Sequence, residues 1–278
     1  MVRLCAFADE ADNSIDGQIR AMKENGVGLL EIRGVDGANI SDISIDKAKE
    51  VKKKLDDNGL AVWSIGSPIG KIEIDGDFGS HFDKYLHTLE LAEVLGAKTI
   101  RLFSFYHTNV AISDSLLDSV CEKLTKFVSA ADGTGILPCH ENEKGIYGDN
   151  AERCLKIFEN VPGLGGVFDP ANFIQCGQDT LEAWKMLGRY ITYFHIKDVA
   201  ADGTIVPAGY GLGHIPEIAV KYLAKGGEVM TLEPHLHIFD GLGALEKEGD
   251  KTAVAEFRYA SNREAFDAAV SSLKKILF

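Results

Sequence analysis

The chain has 278 residues, 45% of them hydrophobic, and a formal net charge of −13. That length fits one α/β barrel domain and buries enough apolar surface to fold without disulfides or a structural metal. The charge argues against a nucleic-acid backbone as partner, because phosphate binding wants a basic surface, and no run approaches the ~20 apolar residues of a membrane helix.

Short β-branched runs alternate with longer amphipathic stretches. Residues 2–8 read as a strand. Residues 15–25 read as a helix, with Ile15, Ile19 and Met22 on one face. A strand at 28–33 and a helix at 45–58 follow, then a strand at 61–65 and a helix at 82–95. The next pairs are 99–104 with 115–131, 136–141 with 151–159, and 165–169 with 180–187. Residues 191–197 and 215–224 form the seventh pair, and 228–233 with 260–276 closes the series. Asn25-Gly26, Asn58-Gly59 and Leu95-Gly96 put a glycine just past a helix end, and Asp149 or Asn150 suits the N-cap of the helix at Ala151.

Strict strand–helix alternation, eight times over, predicts a parallel sheet closed as a single-domain (β/α)8 TIM barrel spanning 1–278. An open doubly wound sheet is the runner-up. It lacks the expected G-x-G-x-x-G after the first strand, where Phe7-Ala8-Asp9-Glu10 stands instead. The long acidic loop at 240–258 reads either as a lid over the catalytic mouth or as a solvated insertion. Cys5, Cys121, Cys139, Cys154 and Cys176 form no C-x-x-C pair and are expected to be reduced thiols of a cytoplasmic protein. The apolar run before Asp9 is too short for a signal-peptide core.

Chemistry concentrates at the C-terminal ends of the last four predicted strands, where barrels keep their active sites. Those strands end in Glu141, Asp169, His195 and Glu233, and Lys197 shares a strand face with His195. Each alone has a plainer reading: a strand-end glutamate is ordinarily an ion-pair partner or a cap, His195 a satisfied core histidine, Asp169 the start of a turn before Pro170. Together they converge on one point, and three buried carboxylates need a cation to offset them. One divalent metal is the simplest candidate. Oxygen donors favour Mn or Mg, with Co or Zn as alternatives. A dication that holds a carbonyl and its neighbouring hydroxyl stabilises the enediolate left when the adjacent carbon loses a proton.

Further motifs are Leu30-Glu31-Ile32-Arg33, Ser67-Pro68-Ile69-Gly70-Lys71, Ile100-Arg101-Leu102-Phe103-Ser104, His140-Glu141-Asn142 and Phe168-Asp169-Pro170-Ala171-Asn172. Phe194-His195-Ile196-Lys197-Asp198, Gly209-Tyr210-Gly211-Leu212-Gly213 and Leu232-Glu233-Pro234 complete the set. With these, nearly the whole chain resembles the xylose-isomerase-like barrels, a superfamily of sugar phosphate isomerases and epimerases that also holds inosose dehydratases, tagatose-type 3-epimerases and endonuclease IV. The resemblance implies that Glu141, Asp169, His195 and Glu233 are metal ligands. It implies that Glu141 and Glu233 move protons on a small carbohydrate, by epimerisation or isomerisation, in a chain that forms homo-oligomers.

Departures from the relatives matter. Tagatose-type epimerases carry a histidine where Asn172 stands and an arginine where Ala201 stands. The missing second-shell metal positions after His195 speak against an endonuclease. Lys197 resembles the lysine of the inosose dehydratases' His-x-Lys-Asp segment, so a lyase that dehydrates an inosose or keto-sugar, or eliminates an aglycone, is the alternative activity. A carbohydrate-binding barrel without catalysis is the third. His107, Asn172 and Lys71 are candidate substrate contacts. A solvated loop lysine is the plain alternative for Lys71, and an ion pair with Glu233 or Asp198 for Lys197. His235 and His237 read as loop residues, and Trp63 as core.

Overall fold

The computed structural model describes residues 2–239 and 259–278. Eight parallel strands close into a barrel: β1 (Arg3–Ala6), β2 (Leu29–Ile32), β3 (Ala61–Ile65), β4 (Thr99–Leu102), β5 (Leu137–Glu141), β6 (Gly165–Phe168), β7 (Ile191–Ile196) and β8 (Val229–Leu232). They pair in chain order, and β1 closes the ring on β8 through Ala6 opposite Leu232. The helices are α1 (Ile15–Glu24), α2 (Ile45–Asp57), α3 (Phe78–Leu95), α4 (Asp114–Ala131), α5 (Ala151–Asn160), α6 (Pro170–Gln175), α7 (Thr180–Leu187), α8 (Ile215–Ala224) and α9 (Asn262–Leu277). The fold is the expected TIM barrel in a single domain.

The helix boundaries have local causes. Ser14, Ser44, Ser113, Asn150 and Ser261 each accept a backbone N–H of the first turn. Gly26, Gly59 and Gly96 follow helix ends at positive φ, as their positions after Asn25, Asn58 and Leu95 predict. α3 begins at Phe78, earlier than the expected 82, because Asp77 caps it by accepting from Ser80 N. Most strands are shorter than expected, though β3 keeps its bounds: β1 ends at Ala6, and Ala8 opens a 3₁₀ turn that runs to Glu10. α6 was not anticipated. Asp169 is its N-cap and Pro170 its first residue, a position where proline's missing N–H costs nothing. Two small hairpins, Gly34–Val35 with Ala38–Asn39 and Asp198–Val199 with Ile205–Val206, also escaped the sequence reading. The acidic stretch 240–258 lies outside the described residues.

Strand periodicity divides the barrel interior into levels. Cys5, Leu29, Cys139, Val167, Tyr193 and Val229 form an apolar cluster of their own, with Trp63 and Leu137 packed against it. Two residues further along the same strands stand Glu31, Glu141, Asp169, His195 and Thr231, all buried. Alternate residues such as Phe194 and Ile196 face the larger core shared with the helices. All five cysteines are unpaired. No helix among the described residues is long and apolar enough to cross a membrane.

Candidate active site

The four expected strand-end groups do converge. Glu141, Asp169, His195 and Glu233 each offer one ligand atom, and these atoms all lie within 4.8 Å of one another, so the cluster can hold a metal ion. His195 Nδ1 is 2.8 Å from Glu141 Oε1 and 3.5 Å from Glu233 Oε2, while its Nε2 is 3.0 Å from Glu31 Oε2. Burial opposes a charge on His195, but Glu141 and Glu31 outweigh it and hold the imidazole pKa well above its ordinary value. Glu31 also accepts a hydrogen bond of 2.8 Å from the Tyr193 hydroxyl. This carboxylate sits behind the histidine ring and fixes its orientation, as metal-binding histidines require.

Lys197 Nζ lies 2.9 Å from Glu233 Oε2 and 2.9 Å from Asp169 Oδ2. Asp198 anchors the loop that follows. Its carboxylate accepts the backbone N–H groups of Val199, Gly209, Gly211 and Gly213 at 2.8–3.0 Å. A Cβ on Gly211 would fall 2.4 Å from Asp198 Oδ1, so the Gly209–Gly213 motif serves close packing beside the site.

Burial pushes Glu233 toward neutrality, yet Lys197, His235 and His195 hold its pKa well below the carboxylate range. Arg33 braces the other oxygen of Glu233, with Nη1 3.3 Å from Oε1. Asp169 goes the opposite way. Burial raises it, Lys197 opposes, and the neighbouring charges of Glu233 and Glu141 help push it up to about 7. Asp169 Oδ1 is committed to the cap of α6 through Asn172 N at 2.9 Å. Asp169 Oδ2 and Glu141 Oε2 are buried and accept no hydrogen bond among the described residues, although Lys197 Nζ lies 2.9 Å from the first and Arg101 Nη1 3.4 Å from the second. Two carboxylate oxygens without a hydrogen bond and one carboxyl group pushed toward protonation mark a cage with room for more positive charge. Those features, with an oxygen-rich donor set, fit a hard divalent ion.

The expected substrate contacts are distributed less simply. Lys71 Nζ pairs with Glu143 Oε2 at 3.1 Å and lies over the Phe103 ring. Asn172 is turned into the scaffold: its side-chain amide donates to Asn142 O at 2.9 Å, while Asn142 bonds both the N–H and the carbonyl of Asp169. His107 Nδ1 is 3.2 Å from Val110 O within its own turn.

Sequence reasoning missed Glu31, Arg33 and Arg101 as members of the site. Arg101 Nη1 lies 3.4 Å from Glu141 Oε2 and 3.9 Å from Glu233 Oε1. A readable signal existed, since each is an ionisable residue inside an apolar strand run, spaced by two in the case of Glu31 and Arg33. His235 is a loop residue as read, but a buried one. It has a positive φ, its N–H donates to Glu10 Oε2 at 2.7 Å, and its ring nitrogen is 3.0 Å from Glu10 Oε1. Glu10, Glu233 and His235 also lie within 4.8 Å of one another. Arg33 already sits against both carboxylates and supplies the positive charge there. His237 is half-buried, and Trp63 packs edge-on to Tyr193 beneath the site.

A family model described as xylose isomerase-like TIM barrel matches residues 19–233. The chain belongs to the xylose isomerase-like TIM barrel family. No curated protein matches it by sequence. Solved structures resemble it over their whole length at low identity. An L-ribulose 3-epimerase aligns with a TM-score of 0.77 and 18% identity, covering 100% of this chain and 95% of that one. The probable 3-DHS dehydratase AsbF of Bacillus anthracis aligns with a TM-score of 0.74 and 16% identity, covering 99% of each chain. The IOLI protein with a bound zinc atom aligns with a TM-score of 0.74 and 16% identity, covering 99% of this chain and 98% of that one. These three structures share a fold with this chain, and at such identity the likeness speaks for the fold alone.

Proposed function

We propose that this barrel is a divalent-metal-dependent isomerase or epimerase that transfers a proton at the carbon beside the carbonyl of a small carbohydrate. The observation that carries this reading is the cage itself: two glutamates, an aspartate and an imidazole whose ligand atoms lie within 4.8 Å of one another, with oxygens on Glu141 and Asp169 that accept no hydrogen bond among the described residues. Glu141, Asp169, His195 and Glu233 would hold the ion, with Mn or Mg favoured by the oxygen donors. When bound, the dication supplies the Lewis acidity that makes the carbon–hydrogen bond beside a carbonyl acidic.

The protein groups divide the remaining work. Glu141 and Glu233 stand on β5 and after β8, separate walls of the mouth, so one can take a proton while the other returns it. His195 keeps its Nε2–H on Glu31, which leaves Nδ1 toward the cage. Lys197 presents an ammonium to the same space, 2.9 Å from Glu233, and can donate to an oxygen that gains charge. Lys71, at the rim with Glu143, is the candidate contact for a distal part of the substrate, and His107 is a second.

That same lysine supports one other reading. An ammonium beside Asp169 and Glu233 can protonate a departing hydroxyl, which would make the enzyme a lyase that dehydrates a keto-sugar or inosose. The solved likenesses include both an epimerase and a dehydratase. A Mn-supplemented screen of ketoses and inososes, with product mass and chirality as readout, separates the two. Unchanged mass with altered configuration is expected, and loss of water would select the lyase. Glu141→Gln and Glu233→Gln should each lower turnover by about 10²–10⁴-fold, the usual weight of a positioned acid or base. Undiminished turnover in both would remove the proposed chemistry.

A further inference from the structure

Two arginines stand at the mouth, each only 3% exposed, and their surroundings differ sharply. Arg33 uses all three nitrogens. Its Nε and Nη2 donate to Asp9, Nη2 also to Glu10, and Nη1 to Glu233. Among the described residues, Arg101 closes one hydrogen bond, from Nη2 to Ser67 O at 3.3 Å. Its Nη1 approaches Glu141 and Glu233 only at 3.4 and 3.9 Å, and its buried Nε has no partner among the described residues. A buried guanidinium in that condition forgoes charge-assisted hydrogen bonds, the strongest a protein makes, and such a group calls for a ligand to complete it.

The surrounding residues hold the guanidinium in place without satisfying it. Its carbon lies 5.2 Å from the centre of the Phe7 ring and 4.9 Å from that of Phe103. Phe103 is itself fixed, since its N–H donates to Ile69 O at 2.8 Å. Gly70 approaches it so closely that an added Cβ would fall 2.0 Å from Phe103 O. Ser67 braces the strand, with its hydroxyl donating to Arg101 O at 2.5 Å. Arg101 is therefore rigid, under-bonded and placed beside both proposed proton-transfer glutamates.

We infer that Arg101 is the oxyanion-binding residue of this site: its guanidinium donates to the substrate oxygen that becomes negative when the neighbouring carbon loses its proton. The inference rests on the proton-transfer reading above and deepens it. It assigns the enolate or enediolate oxygen to a planar donor in the wall formed by β4. A bound dication would compete for the charge of Glu141 and Glu233, which would free Nη1 for substrate. Arg33 is anchored through Nε and Nη2 by Asp9 and Glu10, so its guanidinium would stay in place even where its Nη1 contact with Glu233 weakened.

Glycolohydroxamate, a small chelating anion shaped like an enediolate, is a suitable probe. Its affinity for the Mn-loaded protein is measured by calorimetry in wild type, Arg101→Met and Arg101→Lys, alongside the affinity for Mn²⁺ alone. Arg101→Met is expected to weaken hydroxamate binding by about 30-fold, the scale of a lost charge-assisted hydrogen bond, with Mn²⁺ affinity undiminished. Arg101→Lys keeps the charge without the fork and is expected to lose part of that affinity, and it carries the test should the methionine variant fail to fold. Hydroxamate affinity unchanged in the folded variants would overturn the inference. So would an equal fall in Mn²⁺ affinity, which would make Arg101 a support for the metal ligands. A wild type that binds no Mn²⁺ would overturn the proposed function and this inference with it, whereas intact Mn²⁺ binding with unchanged hydroxamate affinity overturns this inference alone.

Discussion

The two ends of the barrel interior are built by the same strands and obey different physics. The lower end is closed by Cys5, Leu29, Cys139, Val167, Tyr193 and Val229, which offer chiefly contact area, apart from the Tyr193 hydroxyl that reaches up to Glu31. One side-chain step up, Leu29 is succeeded by Glu31, Cys139 by Glu141, Val167 by Asp169 and Tyr193 by His195. The upper end thus carries buried charges whose desolvation is costly unless each is paired. Most are: Lys197 with Asp169 and Glu233, Arg33 with Asp9, Glu10 and Glu233, His195 with Glu31 and Glu141. Among the described residues, Glu141 Oε2, Asp169 Oδ2 and Arg101 Nε are nevertheless buried without a hydrogen bond. The lower end holds the fold together. The upper end is left incomplete at the points where an ion and a substrate are proposed to enter.

Mutations at the two ends should therefore separate stability from binding. Leu29→Ala in the lower cluster is expected to cost about 2–5 kcal/mol of stability, as core truncations of leucine do, and to leave Mn²⁺ affinity unchanged. Chemical denaturation and metal titration on the same preparation check both halves. A large fall in Mn²⁺ affinity would mean that the levels are not independent.

Glu31→Gln acts at the boundary between the levels. It keeps the bulk but removes the charge that holds His195 Nε2, and metal affinity should fall by about 10–100-fold, as for other partners behind metal ligands. Unchanged affinity would leave Glu31 as a structural partner of Tyr193 only.

The smallest expected effect concerns a histidine outside the mouth. His81 Nε2 accepts the Gly70 N–H at 2.7 Å, and burial, aided by Lys84, lowers its pKa to about 4. The folded protein keeps this ring neutral, whereas the unfolded chain protonates it below about 6.5. Its stabilisation is therefore full above pH 6.5 and lost as the pH falls toward 4. His81→Gln keeps an acceptor for Gly70 and should make stability between pH 6.5 and 4 less steep by up to one proton. Identical slopes in the two proteins would refute this. His195 contrasts with it, since facing carboxylates hold its proton in place.

Much of this arrangement was legible in the chain because strand ends and strand periodicity are local signals. Glu141, Asp169, His195 and Glu233 each close an apolar run, so their convergence followed from the barrel. The partners were not legible in the same way. Arg33 reaches Glu233 across 200 positions and His195 reaches Glu31 across 164, and no local spacing states which buried charge meets which. Glu31, Arg33 and Arg101 stood in plain view as ionisable residues within apolar strands, yet their roles depend on closure of the ring. Asn172 shows the converse. Its position after Asp169 suggested substrate contact, while its side chain is engaged with Asn142 in holding the loop.

Titration of Mn²⁺ into chelator-treated protein, in buffers of differing ionisation heat at pH 6.5, puts the metal cage itself to the test. Wild type is expected to bind one ion per chain, with net proton release. Asp169, held near 7, and the His195 imidazolium must both give up protons to become ligands. A much weakened response is expected in Asp169→Asn. No binding of Mn²⁺, and no rise in melting temperature with Mg²⁺, Co²⁺ or Zn²⁺ either, would contradict the proposed cage.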